Sequence, residues 1–214
     1  MYTDTKITYP YKLMIIVSKN ILKNIPFNAI FIVVNCTNLL STIITDAGGI
    51  PMMSPTGHFH IKNTLKKTKA PLAGEMSGHI FFNDKWYGFD DAHYAAFRLI
   101  EIVKKSKSSF DNIVKDLPKA FSTPEMNLNV DENKKFQIVK NFIKKADFGS
   151  ADKITIDGLR VNFEDGWGLL RASNTTPKLV LRFEANSSKR LNEIENMFLT
   201  QLKKIDETIN IELS

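Results

Sequence analysis

The stretch "GWGLLRASNTTPKLVLRFEA", residues 166–185, places a polar turn between two apolar segments. Hydroxyl and amide side chains followed by proline are typical of a tight turn between strands. In the second segment Leu179, Leu181 and Phe183 fall on one face, because side chains alternate along a strand. The stretch therefore predicts a β-hairpin with that face in a core and Arg182 directed away from it.

The sequence around this hairpin continues the same pattern through the second half of the chain. Residues 153–163, "KITIDGLRVNF", read as two strands around Asp157 and Gly158, which is a strong hairpin signal. The remaining predicted elements are a strand over residues 124–130, a helix over residues 136–146 and a closing amphipathic helix over residues 189–205. We therefore expect an antiparallel sheet covered by helices.

The first half of the chain alternates strands with helices. Residues 29–34, "AIFIVV", form a continuous apolar run of the kind that is buried on both faces of a parallel sheet. The other predicted elements are helices over residues 9–24, 39–46, 60–69 and 110–117 and from about residue 91, with strands over residues 50–53 and on both sides of residues 74–79. The fold class is thus a mixed α/β domain followed by a smaller α+β domain, with a boundary near residues 118–123.

The composition is that of a soluble globular protein of one large or two small domains. Of its 214 residues 43% are hydrophobic and 24% are charged, and the formal net charge is +6. This charge favours anionic partners without choosing between sugar phosphates and nucleic acid. The single cysteine, Cys36, excludes an intrachain disulfide, and no apolar run approaches the roughly 20 residues of a membrane span. We expect a cytoplasmic protein that uses no membrane.

The turn over residues 173–176 is a candidate anion site. Ser173, Thr175 and Thr176 can donate hydroxyl groups, and Asn174 can donate an amide. Arg171 adds a planar guanidinium that matches two phosphate oxygens. The alternative is an ordinary turn, since serine, asparagine, threonine and proline are what tight turns use. Both interpretations stay open on composition alone.

A second candidate lies in "GEMSGH", residues 74–79. Glycines at both ends allow backbone conformations that other residues avoid. Glu75 is suited to accept hydrogen bonds from two vicinal sugar hydroxyls, and Ser77 and His79 stand within the same turn. The alternative is a structural turn with a solvated glutamate. "TGH", residues 56–58, is a strand-to-helix loop in which Thr56 is the expected capping residue.

Three stretches in this order carry a family resemblance: "TGHFHIK", "GEMSGHIFFNDKWYGFDD" and "GWGLLRASNTTPKLVLRFEA". They closely resemble the bacterial phosphomannomutase/phosphoglucomutase branch of the α-D-phosphohexomutases, and the likeness runs from about Thr8 to Ile205. Such enzymes have four domains and move a phosphoryl group between O6 and O1 of a hexose. The resemblance implies a phosphoserine, a bisphosphorylated intermediate and Mg²⁺ at that serine.

The resemblance also assigns domains and site residues. It implies a remnant helix of the family's second domain over residues 1–26, a sugar-recognition domain over residues 27–118 and a phosphate-binding domain over residues 119–214. In the sugar-recognition domain it implies Glu75 and Ser77 as ligands of the sugar hydroxyls, with Gly57, His58 and His79 in the same wall of the cleft. In the last domain it implies that the distal phosphate is held by Arg171, Ser173, Asn174 and Thr175, with Arg182 nearby.

Several family features are missing from this sequence. It contains no Ser-His-Asn-Pro-like nucleophile loop and no Asp-x-Asp-x-Asp metal loop. Met1 stands roughly where a family chain would have just left that metal loop, so a C-terminal half is expected. The family lysine beside the reacting phosphate corresponds to Asn35, whose amide cannot supply its charge. We therefore expect no catalytic residue, metal ligand or cofactor in this chain, whereas the full-length family enzyme would use Mg²⁺ and a hexose 1,6-bisphosphate.

Three hypotheses about function remain open. The chain is either the recognition half of a phosphohexomutase that needs the missing domains in trans, or an inactive sugar-phosphate-binding remnant, or a truncated gene product without function. The expected ligands are mannose or glucose 1- and 6-phosphates, and nucleic acid is not expected. A separate N-terminal half is one expected partner and a second copy of the chain another, because Tyr11, Leu13 and Ile15 would expose an apolar helix face without the second domain.

Overall fold

The computed structural model describes residues 8–207 and Ile209, and the chain divides into two compact units, Met1–Lys119 and Ala120–Ser214. The helices are α1 (Pro10–Asn24), α2 (Asn38–Asp46), α3 (His58–Thr68), α4 (Ala92–Ser106), α5 (Phe110–Lys115), α6 (Lys135–Lys145) and α7 (Ser188–Ile205). The strands are β1 (Ala29–Val33), β2 (Ile50–Ser54), β3 (Leu72–Gly74), β4 (Ile80–Phe82), β5 (Phe121–Ser122), β6 (Met126–Asn129), β7 (Asp152–Ile154), β8 (Leu159–Phe163), β9 (Gly166–Ala172) and β10 (Lys178–Ala185). The predicted fold class is confirmed, and the division of the chain at residue 26 stays a prediction.

The first unit contains a four-stranded sheet in the order β2-β1-β3-β4. Strand β1 runs parallel to both β2 and β3, while β4 returns antiparallel to β3. The apolar run that forms β1 is buried from Ile30 onward, as expected of a central strand covered on both faces. The carboxyl ends of β1 and β3 therefore lead into neighbouring loops of this sheet.

Helix α1 packs into the core of the first unit. Its residues Met14 to Val17 are buried, and a Cβ atom at Gly74 of β3 would overlap the Met14 side chain. Ile15 has no exposed surface, and Tyr11 and Leu13 pack against the same core. The expectation that Tyr11, Leu13 and Ile15 form an uncovered apolar face is therefore wrong, because this unit itself supplies the packing partners.

The second unit contains a six-stranded sheet in the order β5-β10-β9-β8-β7, with β6 also paired to β10. All its pairings are antiparallel. Leu179, Leu181 and Phe183 are fully buried on the face that packs with apolar residues of α6 and α7, such as Phe142 and Phe198. The predicted hairpin of β9 and β10 is confirmed, and its loop is residues 173–177.

The hairpin of β7 and β8 is also present, and residues 155–158 connect its strands. Gly158 has φ +81°, a conformation that favours glycine. Strand β5 was not predicted, because two residues are too short to show an alternating pattern. In the part of the chain that the structure describes, no helix is long and apolar enough to cross a membrane.

Candidate functional site

The turn between β3 and β4 holds the first candidate group. The Glu75 amide donates to the His79 carbonyl oxygen at 2.9 Å, and the Gly78 amide donates to the Glu75 carbonyl oxygen at 3.1 Å. Gly78 has φ +103°, which a residue with a side chain rarely adopts. The closed turn therefore presents Glu75, Ser77 and His79 from one short segment.

The Glu75 carboxylate connects this turn to the start of α3. One oxygen accepts a hydrogen bond from the Gly57 amide at 3.1 Å, and the other accepts from the Ser77 hydroxyl at 3.1 Å. Glu75 is only 6% exposed, and it makes no ion pair with a cation in residues 8–207. Because a carboxylate has about four lone-pair positions, two hydrogen bonds leave capacity for a ligand.

Two imidazoles stand beside this carboxylate. The rings of His58 and His79 meet edge to face with centroids 4.5 Å apart, and His58 also contacts the Phe81 ring. His79 Nδ1 lies 2.7 Å from the Asp90 carboxylate, which also accepts from the Ile80 amide at 3.3 Å. The structure thus brings together the five residues that the family resemblance groups in one wall: Gly57, His58, Glu75, Ser77 and His79.

Asp90 was missed as a site residue. The helix predicted from about residue 91 is capped by Asp91, which accepts from the Tyr94 amide at 2.9 Å. Asp90 instead forms a bridge with Phe81 and orients His79. The sequence offered one signal for Asp90, a pair of adjacent aspartates before a helix. Only one aspartate is needed to cap the helix, so the other is available for a different role.

The donor atoms of this group suit some metals and not others. Among the described residues, one group of histidine, cysteine, aspartate or glutamate side chains could hold an ion: His58, Glu75 and His79, with ligand atoms within 4.8 Å of one another. Mg²⁺ prefers an octahedron of oxygen atoms, whereas this group offers two nitrogens and one carboxylate. The residues present therefore do not fit the Mg²⁺ that the family resemblance implies.

The loop between β9 and β10 is organised by Ser173. Its hydroxyl oxygen accepts from the Thr175 amide at 3.3 Å, from the Thr176 amide at 3.1 Å and from the Thr176 hydroxyl at 2.8 Å. Backbone amides that could have faced an anion are thus directed into the loop. The side chains of Asn174 and Thr175 are exposed, and neither has a hydrogen-bond partner among the described residues.

Arg171 on β9 precedes this loop and is held from the neighbouring hairpin. Its Nε donates to the Asp157 carboxylate at 3.0 Å, and the residue is only 6% exposed. Within residues 8–207 the terminal Nη groups of Arg171 have no hydrogen-bond acceptor. Because the guanidinium is fixed through Nε, its two terminal nitrogens are available to bind an anion in bidentate form.

Lys135 supports the loop from α6 and was not found from the sequence. Its ammonium donates to the Thr176 carbonyl oxygen at 3.1 Å and pairs with Glu132 at 2.6 Å. The side chain is 1% exposed, although the run "DENKKF" has the composition of a solvated surface segment. No signal in the sequence separates Lys135 from its neighbour Lys134.

Arg182 lies on the same sheet face as Arg171. Its guanidinium carbon is 5.9 Å from the centroid of the Trp167 ring, and the Trp167 indole donates to Glu184 at 3.0 Å. Trp167 is paired with Glu184, two residues farther from the loop along β10 than Arg182. The structure thus confirms that Arg182 points away from the apolar core and gives it an aromatic neighbour on that face. Its role near the phosphate stays a prediction.

Comparison with known proteins gives matches along both units. Residues 9–121 match the family model described as "Phosphoglucomutase/phosphomannomutase, alpha/beta/alpha domain III". Residues 125–201 match the model described as "Phosphoglucomutase/phosphomannomutase, C-terminal domain". The first match alone covers more than half of the chain and includes α1.

Individual relatives give the same result. A phosphomannomutase/phosphoglucomutase of Pseudomonas putida is 45% identical over 96% of this chain, and a phosphoglucomutase of Neisseria gonorrhoeae is 44% identical over 91%. A crystal structure of a phosphoglucomutase/phosphomannomutase family protein from Burkholderia thailandensis superimposes with a TM-score of 0.90 at 41% identity, over 97% of this chain. The chain spans 44%, 43% and 44% of these three proteins, respectively.

Proposed function

The chain belongs to the phosphoglucomutase/phosphomannomutase family as its third and C-terminal domains, and on this premise we propose that it is the hexose-phosphate recognition half of a phosphohexomutase. The ligands are mannose or glucose 1- and 6-phosphates. The first unit contacts the sugar hydroxyls and the second unit holds the phosphate that is not reacting. Binding at a remote phosphate supplies orientation for transfer at the other end of the sugar.

The single observation that carries this proposal is the state of Arg171. Among the described residues this nearly buried guanidinium is bonded only through Nε, so it has two terminal nitrogens to offer an anion. A buried charged group is stable when its remaining hydrogen-bonding atoms find a partner, and a phosphate supplies that partner in bidentate form. The exposed side chains of Asn174 and Thr175 add donors in the loop that follows Arg171 and β9.

Sugar recognition rests on Glu75 in this proposal. The Gly57 amide and the Ser77 hydroxyl hold its two oxygens in place, so the carboxylate loses little freedom when sugar hydroxyls donate to it. Ser77 can itself exchange its hydrogen bond for one to the sugar. His58 and His79 form the adjoining wall, and Asp90 fixes the ring of His79.

Interconversion of hexose 1- and 6-phosphates requires groups that this sequence does not contain. Mg²⁺ and a phosphoserine act at the reacting phosphate in the family enzyme, and no residue of this chain is assigned a catalytic or Mg²⁺-binding role. Asn35 replaces the charged residue expected beside that phosphate. The second candidate function, which Asn35 favours, is an inactive sugar-phosphate-binding protein.

Titration of the 214-residue chain with mannose 1-phosphate and glucose 6-phosphate, followed by amide NMR, tests the proposal. We expect dissociation constants on the order of millimolar, the range of a few net contacts once lost rigid-body freedom is counted. Shifts should include residues 75–79 and 171–176. Glu75→Gln should weaken sugar phosphates but not inorganic phosphate, because only the sugar reaches that carboxylate. Shifts confined to other surfaces would reject the proposal.

A further inference from the structure

His58, Glu75 and His79, which the proposed function places in the sugar-binding wall, also lie close enough together to share one metal ion. Each contributes one ligand atom, and these atoms lie within 4.8 Å of one another. Two imidazole nitrogens and one carboxylate oxygen are the donor set of three-ligand zinc sites that keep a fourth position open. We propose that these three side chains bind a divalent transition-metal ion of the Zn²⁺ class.

The Asp90 carboxylate prepares His79 for this role. A carboxylate oxygen accepts, so His79 Nδ1 donates across their 2.7 Å separation, and the neutral ring then has its lone pair on Nε2. A carboxylate behind a ligating histidine is the usual support of a zinc ligand, since it fixes both tautomer and ring orientation.

Glu75 supplies the negative charge. It is 6% exposed and has no cationic partner within 4.0 Å among residues 8–207, while its two hydrogen bonds come from neutral donors. A nearly buried carboxylate is stabilised when it pairs with a cation or ligates a metal. The neutral donors at Gly57 and Ser77 fix its position without neutralising it.

The present spacing is wider than that of a closed site. With metal–ligand distances of about 2.0–2.2 Å, tetrahedral ligand atoms are about 3.3–3.6 Å apart. His58 is the most exposed of the three and stands in the first turn of α3, so a rotation of its side chain can close the gap. Glu75 and His79, which are held by hydrogen bonds, supply the fixed part of the site.

Calorimetric titration of the full chain with Zn²⁺, and absorption titration with Co²⁺, test this assignment without any sugar. The result for metal binding is therefore independent of the result for the proposed function. We expect one equivalent to bind, with affinity reduced at least about tenfold in His79→Gln and Glu75→Gln, and about tenfold in Asp90→Asn through the orientation of His79. His93→Gln is the matched control, because His93 is an exposed histidine of the same unit outside the group.

The His58→Gln variant tests whether a loss of Zn²⁺ affinity is caused by the loss of a metal ligand or by a loss of folding. Among the described residues His58 makes only ring contacts, whereas Glu75 and His79 also form hydrogen bonds. The His58→Gln variant should therefore keep the fold and still bind Zn²⁺ at least about tenfold more weakly. Circular dichroism of each variant checks the fold. Unchanged Zn²⁺ affinity in folded His58→Gln and His79→Gln, or an equal loss in His93→Gln, would overturn the assignment.

Discussion

The Asp157 carboxylate accepts a 3.0 Å hydrogen bond from Nε of Arg171, so the turn between β7 and β8 fixes the guanidinium of a residue on β9. Asp157 precedes Gly158, and a Cβ atom at Gly158 would lie 2.7 Å from the Cα atom of Arg171. The turn is therefore packed directly against the strand that leads into the loop of residues 173–177. The position of Arg171 depends on this close approach.

Removal of the guanidinium should weaken phosphate binding in the second unit. Arg171→Ala should cost about 1.5–3 kcal/mol if the contact is charge-assisted, and Arg171→Lys should recover only part of that loss, since a point charge cannot reproduce the fork. Phosphate titration followed by amide NMR measures both. Arg190→Ala is the matched control, because Arg190 also donates through Nε to an aspartate, Asp165, but lies outside the loop. Chemical shift changes that persist unchanged in Arg171→Ala would show that the loop is an ordinary turn and not a phosphate site.

The close approach at Gly158 should be costly to disturb. Gly158→Ala combines an unfavourable positive φ with overlap against the backbone of β9, so we expect a loss of about 2–4 kcal/mol in the free energy of unfolding. Gly149→Ala has a similar φ of +62° but nothing within 4 Å, and should lose only about 1 kcal/mol. Urea unfolding, followed by Trp167 fluorescence in a Trp86→Phe background, compares them. Equal losses would show that backbone strain alone matters.

The Ser173 hydroxyl should restrict the motion of the loop over residues 173–177. Ser173→Ala removes the acceptor of two amides and one hydroxyl, so the amides of Thr175 and Thr176 should show lower NMR order parameters. Asn174→Ala removes an exposed side chain and should weaken phosphate binding while the order parameters stay unchanged. A rigid loop in Ser173→Ala would contradict the role of its hydroxyl.

Lys135 allows binding and stability to be separated. Lys135→Met keeps an apolar stem and removes the ammonium that donates to the Thr176 carbonyl oxygen. Glu132 is exposed enough to be hydrated without its partner, and Thr176 still accepts from the Lys178 amide, so stability should change by less than about 1 kcal/mol. Because the loop loses its hydrogen bond to Lys135 of α6, phosphate affinity should fall about threefold, a change of less than 1 kcal/mol. Thermal unfolding and phosphate titration of one sample provide the two readouts. A large loss of stability with normal phosphate affinity would contradict a role of the Lys135–Thr176 hydrogen bond in binding.

Mutase activity should be absent from the purified chain. We expect no turnover of mannose 1-phosphate with Mg²⁺ and glucose 1,6-bisphosphate, because the sequence has neither the nucleophile loop nor the triple-aspartate metal loop. A coupled assay for glucose or mannose 6-phosphate measures this. Turnover above background that disappears in Arg171→Ala would refute the expectation.

The order and type of most elements follow from the sequence alone. Apolar alternation and helical spacing are local properties, so they identified the hairpin of β9 and β10, the buried strand β1 and the amphipathic helix α7. Within the candidate sites, Glu75, Ser77 and His79 were grouped because one short turn carries them. Arg171 and Ser173 were grouped for the same reason.

Contacts between distant segments were decided by the tertiary structure. Gly57 bonds to Glu75 across 18 residues, His79 to Asp90 across 11 and Lys135 to Thr176 across 41. The same holds for Ile15, whose helix looked uncovered in the sequence and is buried by its own unit. Spacing along a chain reports which face a residue occupies, but the partner of that face depends on how the elements pack, and packing is a property of the whole unit.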